Sequence, residues 1–219
     1  MSSSLAEATR QGLPQITVLS ISQDHTGYLW FGTQDGVARF DGAVFQNYLA
    51  GSWAQVLTVG ADNTLCIGPN QGIAYYRDET IHTLAATGQS ADSAANRPDV
   101  RAMLFTADGR LLAATDQGLL QVDTSGFHRS NLLPAVSLFS LLNWHGGLWV
   151  GGAGKLYLIT PDQVRTIELP GGAGTLATHL TVYNDTLWAG TSRGRVRYTA
   201  GRWSRVEGDP PQLHLTINT

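Results

Sequence analysis

One pattern recurs five times along this 219-residue chain, and it constrains the fold more than any other feature. The copies begin near residues 16, 56, 100, 137 and 179. Each copy has a small residue after its second apolar run, at Gly32, Gly68, Ala114, Gly151 and Gly190. A second glycine follows in every copy, at Gly36, Gly72, Gly118, Gly154 and Gly194. Self-similarity at a fixed period of roughly 20 to 50 residues is typical of propellers, solenoids and related repeat folds.

Within each copy the apolar residues alternate with a period of two, as in Ile16–Ser22 and Leu29–Thr33. Such alternation, in segments rich in β-branched and aromatic residues, predicts half-buried β-strands. Turn-forming residues follow the first run of each copy, at Asp24 to Gly27, Asp62 and Asn63, Asp108 and Gly109, His145 to Gly147, and Asn184 and Asp185. Each copy is therefore predicted to be a meander of four short antiparallel strands, the unit of a propeller blade. The predicted fold is an all-β propeller with five visible repeats and a partial sixth.

The predicted blades cover about residues 16–52, 54–84, 99–134, 136–170 and 178–208 of a single propeller domain or part of one. The tail 211–219 resembles the opening of the first copy, so we expect it to start or complete a further blade, with residues 5–10 as an outer strand. The segment 85–98 is predicted to be a long loop. A five-bladed ring with extra strands, a truncated larger ring and self-association that completes a ring all fit these repeats. We favour a piece of a larger propeller.

Composition excludes several classes of function. Charged residues make up 14% of the chain and the net charge is −3, so the sequence lacks the basic patch that nucleic acid requires. The single cysteine, Cys66, cannot form an internal disulfide or a zinc cluster. No apolar run reaches the length of a membrane-spanning helix, and the N-terminus lacks the pattern of a signal peptide.

No motif for catalysis or metal binding stands out. The segment Gly190–Gly194 matches the G-x-S-x-G nucleophile elbow, but that motif requires a turn from a strand into a helix. The position of Ser192 is occupied by Gln34 and Asn70 in sister copies, so Ser192 is predicted to lie in a hairpin turn. The six histidines are scattered without ligand spacing, and the turn aspartates are predicted to cap their own backbone. We therefore predict no catalytic residue, no metal site and no cofactor.

The remaining candidates for function are the turns between the second and third strands of each copy. In a propeller these turns lie on the same face as the links between blades. Amides, carboxylates and aromatic rings on that face could bind a small polar ligand or a protein partner. The predicted rim consists of Gln34, Asp35, Trp53, Asn70, Gln71, Arg97, Asp116, Gln117 and Arg193.

The first copy resembles the two-component regulator propeller repeat. The resemblance is carried by Leu13-Pro14-Gln15 and by the run YLWFGTQDGVARFDG that ends at Gly42. Later copies keep the same spacing of apolar residues and glycines, in CIGPNQGIAYY, LAATDQGLLQVD, LWVGGAGKLYLI and LWAGTSRGRVRY. The resemblance therefore extends over residues 13 to 208. It implies a bacterial periplasmic sensor domain, of the kind that precedes a membrane span and a signalling output. Because neither part is present in this sequence, we expect a fragment or an isolated sensor domain.

Three functions are consistent with these observations. The first is a non-catalytic, ligand-binding sensor, which the repeat resemblance implies. The second is a protein-interaction scaffold, because propellers of the WD-repeat type bind partners on the same face. The third is an enzyme that resembles the streptogramin-inactivating lyases, which share glycine- and tryptophan-rich second strands. That lyase would need a catalytic histidine, an acid and a magnesium site facing the channel, and the sequence shows no such set.

Overall fold

The computed structural model describes residues 12–87 and 97–206, which form five four-stranded antiparallel sheets. Each sheet is built from four consecutive strands, so the alternating pattern of each repeat produces a meander. The strands are β1 (Val18–Gln23), β2 (Leu29–Thr33), β3 (Gly36–Phe40) and β4 (Phe45–Tyr48); β5 (Ala54–Val59), β6 (Leu65–Pro69), β7 (Ile73–Arg77) and β8 (Thr80–Leu84); β9 (Val100–Phe105), β10 (Leu111–Thr115), β11 (Gly118–Asp123) and β12 (Gly126–Arg129); β13 (Leu138–Trp144), β14 (Gly147–Gly152), β15 (Lys155–Ile159) and β16 (Val164–Glu168); and β17 (Ala177–Tyr183), β18 (Thr186–Thr191), β19 (Gly194–Thr199) and β20 (Arg202–Arg205).

These sheets confirm the predicted all-β fold. The only helical element among the described residues is a single 3₁₀ turn at Gly172–Gly174. The expected strands at 5–10 and 211–219, and most of the predicted loop at 85–98, lie outside the described residues.

The chain divides into two compact units, and the boundary between them falls within the third sheet. Of the described residues, the first unit holds 12–87, 97–103 and 123–128, and the second holds 104–122 and 129–206.

The core of the first unit lies between the first and second sheets. Trp30 of β2 is 1% exposed and packs with Val37, Ala54, Leu65 and Ile67. The backbone of Ala54 approaches β2 so closely that a Cβ atom added to Gly32 would lie 2.3 Å from the Ala54 carbonyl oxygen. The small residue after the second strand is therefore required for the two sheets to pack.

The second unit repeats this packing between the fourth and fifth sheets. Trp149 of β14 is 5% exposed and packs against Leu180, Leu187 and Ala189 of the fifth sheet. A Cβ atom on Gly151 would lie 2.5 Å from the Ala177 carbonyl oxygen, as for Gly32 in the first unit. The repeat thus encodes the contact between sheets as well as the strands within each sheet.

In three of the sheets, the hairpin after the second strand contains the same hydrogen bond. The hydroxyl groups of Thr33, Thr115 and Thr191 donate hydrogen bonds to the carbonyl oxygens of Gly36, Gly118 and Gly194, at 3.0, 2.8 and 2.6 Å. These glycines have φ values of 108, 118 and 103°, which non-glycine residues rarely adopt. Ser192 lies in this turn between β18 and β19, which confirms that its G-x-S-x-G segment is a hairpin and not a nucleophile elbow.

Candidate functional site

A cleft of about 260 Å³ opens in the first unit, beside the turns that join β1 to β2 and β7 to β8. It lies at the turn end of the packed first and second sheets, so residues from both sheets line it. The lining residues are Asp24, Thr26, Tyr28, Trp30, Arg39, Asn63, Leu65, Tyr76, Asp78 and Glu79.

The carboxylate of Asp24 fixes one wall of the cleft. Its Oδ1 atom accepts hydrogen bonds from the Thr26 amide at 3.0 Å, the Thr26 hydroxyl at 2.6 Å and the Tyr28 amide at 3.0 Å. Its Oδ2 atom accepts one from the indole nitrogen of Trp30 at 2.8 Å. Burial alone would raise the pKa of Asp24, but the hydrogen bonds from Thr26, Trp30 and Tyr28 outweigh burial and lower that pKa below its ordinary value. Asp24 is therefore a structural anion at neutral pH.

Trp30 and Tyr76 form the aromatic floor of the cleft, and both rings pack with Tyr48, which lies outside the lining. The ring of Trp30 lies 4.7 Å from that of Tyr76 and 5.7 Å from that of Tyr48, and the two tyrosine rings are 5.2 Å apart. Such tilted arrangements are favourable for aromatic pairs. The rings come from β2, β4 and β7, so this cluster exists only because the first two sheets pack face to face.

Arg39 places a guanidinium group over this aromatic floor. Its Cζ atom lies 4.7 Å from the ring centre of Tyr28, and 5.8 Å from those of Trp30 and Tyr76. One Nη atom donates a hydrogen bond to the Tyr76 hydroxyl at 2.9 Å, and the other donates to Oε1 of Gln46 at 2.6 Å. These contacts hold the guanidinium in one orientation and leave it further N–H donors.

Some polar groups near the mouth of the cleft already make hydrogen bonds within the protein, and others face solvent. Oδ1 of Asn63 accepts a hydrogen bond from the His25 amide at 2.7 Å, which joins the first turns of the two sheets. Asp78 and Glu79 are exposed and have φ values of 51 and 60°, so their turn projects two carboxylates at the edge of the cleft. Burial and the bond with the Tyr76 hydroxyl raise the pKa of Tyr48, so the Tyr48 hydroxyl stays protonated at neutral pH.

The cleft is therefore suited to binding. It combines aromatic faces, an oriented guanidinium and peripheral carboxylates, and none of its lining residues is a serine, cysteine or histidine. In the part of the chain that the structure describes, no three His, Cys, Asp or Glu side chains form a group that could hold a metal ion.

Six residues of the predicted rim lie in the first unit, at the opposite ends of the strands from the cleft turns. Oδ1 of Asp35 accepts a hydrogen bond from the Gly51 amide at 2.7 Å, and the amide of Asn70 donates to the Trp53 carbonyl oxygen at 2.8 Å. Trp53 is 48% exposed. Gln71 and Arg97 are exposed as well, and Gln34 is half-buried.

Three rim residues lie in the second unit, and all three are exposed. The amides of Gln117 and Arg193 donate hydrogen bonds to the hydroxyls of Thr115 and Thr191, at 3.1 and 3.2 Å. The Asp116 carbonyl oxygen accepts one from the Ser137 hydroxyl at 3.2 Å. The positions of the nine side chains in turns and links agree with the repeat, but the ligand-binding role of the rim stays a prediction.

The cleft residues were not among the site residues predicted from the sequence. Tyr28, Trp30, Arg39 and Tyr76 lie in or beside strands, where the alternating pattern assigns them to packing. A signal was present, because Arg39 is a charged residue within a run of otherwise apolar strand positions. The predicted capping role of the turn aspartates is confirmed at Asp24, and also at Asp62, whose carboxylate accepts from the Thr64 amide at 3.1 Å.

No helix among residues 12–87 and 97–206 has the length and hydropathy needed to cross a membrane.

The class of protein follows from comparison with solved structures. The extracellular domain of the hybrid two component system BT3049 from B. thetaiotaomicron superposes with a TM-score of 0.69 and 20% identity, over 87% of this chain and 28% of that domain. Virginiamycin B lyase from Staphylococcus aureus, in a catalytically inactive form with quinupristin, superposes with a TM-score of 0.64 and 16% identity, over 90% of this chain and 71% of the lyase. The chain has the β-propeller fold.

Sequence comparison then shows which kind of β-propeller this chain is similar to. Residues 12–35 match the family model of the two component regulator propeller, which confirms the resemblance through the first repeat. A histidine kinase from Formosa agariphila is 51% identical over 37 residues, which are 17% of this chain and 3% of the kinase. The chain thus carries a two component regulator propeller repeat, and it spans only a small part of the signalling proteins it is similar to.

Proposed function

We propose that this chain is a non-catalytic sensor module that binds a small polar ligand outside the cytoplasm, in the periplasm, for a bacterial protein of the two-component type. The observation that carries the proposal is the match of its first repeat to the two component regulator propeller, in a chain whose fold is also that of an extracellular two-component domain. The module would act as the input part of a longer, membrane-anchored protein.

The cleft beside Arg39 supports the ligand-binding part of this proposal. The guanidinium, stacked 4.7 Å above Tyr28, offers N–H donors in a fixed plane to a carboxylate or another acceptor group. In the aromatic floor Trp30 is buried, and the partly exposed ring of Tyr76 offers an apolar surface next to those donors. The preferred ligand is therefore a small molecule with one flat or apolar face and an acceptor group at its edge.

The proposal is tested by thermal-shift measurements on the purified chain with monosaccharides, uronic acids, amino acids, dipeptides and dicarboxylates. At least one of these compounds is expected to raise the melting temperature, because ligands that bind only the folded state stabilise it by mass action. Mass spectrometry should then recover that compound unchanged after prolonged incubation. A panel without any stabilising compound, or a compound that is converted to a product, contradicts the proposal.

The likeness to virginiamycin B lyase supports a second candidate function, a propeller lyase. A turnover assay with a streptogramin B antibiotic, with and without Mg²⁺, distinguishes this candidate from the sensor. Ring opening that depends on Mg²⁺ would establish the lyase. A partner protein that co-purifies with the intact chain would instead favour the interaction scaffold.

A further inference from the structure

The cleft beside Arg39 holds charges of both signs that do not pair with each other. The guanidinium of Arg39 comes from β3 of the first sheet, and the carboxylates of Asp78 and Glu79 come from the turn between β7 and β8 of the second sheet. Among residues 12–87 and 97–206, none of these three side chains forms a salt bridge. One positive and two negative groups therefore line a single cleft without neutralising each other.

The positive charge of Arg39 has only neutral hydrogen-bond partners. Its guanidinium donates to the Tyr76 hydroxyl and to the side-chain amide oxygen of Gln46. A guanidinium has five N–H donors, so several remain for a ligand. The other carboxylate of the lining, Asp24, already accepts four hydrogen bonds from its own sheet and forms no salt bridge with Arg39. A carboxylate on the ligand would match the remaining donors in charge and in geometry.

The two carboxylates at the edge of the cleft are accessible to a cation. Asp78 and Glu79 are exposed, and the Thr80 hydroxyl in the same turn donates to the backbone carbonyl oxygen of Asp78 and not to its side chain. Burial is the largest cause that raises the pKa of Tyr48, while the Arg39 guanidinium lowers that pKa and the Glu79 carboxylate raises it. The charges of Arg39 and Glu79 therefore both reach the aromatic cluster at the base of the cleft.

The size of the cleft restricts it to a small ligand. Its volume of about 260 Å³ is below the range of roughly 300–1,000 Å³ that is typical of sites for drug-sized ligands. The partly exposed ring of Tyr76 supplies an apolar surface beside the guanidinium. A complementary ligand therefore has a negative group, a positive group and an apolar group on one small skeleton.

We propose that the ligand of this cleft is a free amino acid with an apolar side chain, an inference that rests on the ligand-binding function proposed above. The ligand carboxylate binds the Arg39 guanidinium, its ammonium group lies at the carboxylates of Asp78 and Glu79, and its side chain packs on the ring of Tyr76. A dicarboxylate would bring a second negative charge towards Asp78 and Glu79. A neutral sugar would leave the charges on both sides without counter-ions. The cleft therefore selects the zwitterion over both.

Isothermal titration calorimetry of the purified chain at pH 7 tests this proposal, with L-phenylalanine and L-leucine as the probes. At least one of the two amino acids is expected to bind. Its N-acetyl derivative lacks the ammonium charge, and its carboxamide derivative lacks the carboxylate. Each derivative should bind about tenfold or more weakly than the free amino acid, because each loses a charge-assisted contact.

A double variant tests which groups of the protein recognise the ammonium. Asp78→Asn with Glu79→Gln should weaken binding of the free amino acid by about tenfold or more. The same variant should not weaken binding of the N-acetyl derivative, which has no ammonium to lose. The charge-matched control is Asp162→Asn with Glu168→Gln, which removes two exposed carboxylates from the corresponding part of the fourth sheet. This control should bind the amino acid with native affinity.

The other outcomes overturn the inference and differ in what they mean for the sensor. If a sugar or a dicarboxylate binds but neither amino acid does, the amino-acid assignment is wrong and the sensor function stands. If no compound of the panel binds, both fail. Equal affinity for the free and the N-acetylated amino acid, or native affinity in the Asp78 and Glu79 double variant, means that these carboxylates do not bind an ammonium group. An equal loss in the control variant means that overall charge, not the cleft, sets the affinity.

Discussion

The indole nitrogen of Trp30 donates a hydrogen bond to the carboxylate of Asp24 at 2.8 Å, and this bond ties the first turn of the first sheet to the core beneath it. By strand register, the residue of the fourth sheet that is equivalent to Asp24 is Trp144, which has no carboxylate. The Trp149 nitrogen has no hydrogen-bond acceptor in the described part of the chain. The first repeat thus has a polar anchor that the fourth lacks.

Removal of this anchor should destabilise the first unit. Asp24→Asn weakens four hydrogen bonds to a carboxylate, and Trp30→Phe leaves Oδ2 without its buried donor. Each variant should lower the free energy of unfolding by about 1–3 kcal/mol, as expected for a lost hydrogen bond to a charged group. Urea titration of both single variants and the double variant measures the effect. The double variant should lose less than the sum of the single losses, because the two residues share one bond. Strict additivity would show that the bond contributes nothing.

The pH dependence of stability should also depend on Asp24. Its hydrogen bonds lower its pKa in the folded state below the ordinary value of 3.8, even though burial acts in the opposite direction. The folded state therefore binds this proton less readily than the unfolded state. The stability that Asp24 contributes is complete above its unfolded pKa and is lost as pH falls through the lower folded pKa. Urea midpoints from pH 7 to pH 2.5 should fall less steeply for Asp24→Asn than for the native chain. Identical slopes would contradict this role of Asp24.

The close contact between the fourth and fifth sheets predicts a large effect of one methyl group. In Gly151→Ala the new Cβ atom would lie 2.2 Å from the Ser140 hydroxyl oxygen and 2.5 Å from the Ala177 carbonyl oxygen. Because one of these is backbone, we expect a loss of about 1–3 kcal/mol of folding free energy, typical of overpacking.

The adjacent Gly152→Ala is the matched control. Its Cβ atom would have its tightest contact with the edge of the Tyr157 ring, at 3.3 Å, and the Lys155 carbonyl oxygen and the Leu138 side chain would lie at ordinary contact distances of 3.5 and 3.7 Å. Thermal melts of the two variants should show a clearly larger decrease for Gly151→Ala. Equal melting temperatures would contradict the close packing of these sheets.

The thiol of Cys66 should be unreactive in the folded chain. The side chain is 6% exposed, and burial, together with the nearby Asp62 carboxylate, raises the pKa of the thiol to about 12. Almost no thiolate is present at pH 8, and the thiolate is the form that attacks Ellman's reagent. The reagent should react slowly with the native chain and fully in guanidinium chloride. A rapid reaction of the native chain would show that the second sheet opens around β6.

The sequence was sufficient to predict the five sheets, because each strand and hairpin depends on neighbours within one repeat. The turn at Asp24 and the hairpin at Ser192 were predictable for the same reason. The cleft was not, because the Arg39 guanidinium meets the hydroxyl of Tyr76, a residue of the next repeat. This hydrogen bond depends on the angle and the distance at which the two sheets pack. The spacing of residues within a repeat carries no information about that angle or that distance.

The claim that this chain senses ligands through the cleft beside Arg39 is tested most directly by isothermal titration calorimetry. The titrant is the compound that stabilises the native chain most strongly in the thermal-shift panel. Arg39→Met should weaken binding by about tenfold or more, because it removes charge-assisted hydrogen bonds to the ligand. The matched variant Arg97→Met, which removes an exposed arginine of the predicted rim, should bind with native affinity. Binding that survives in Arg39→Met and is lost in Arg97→Met would contradict the account and assign the ligand to the rim.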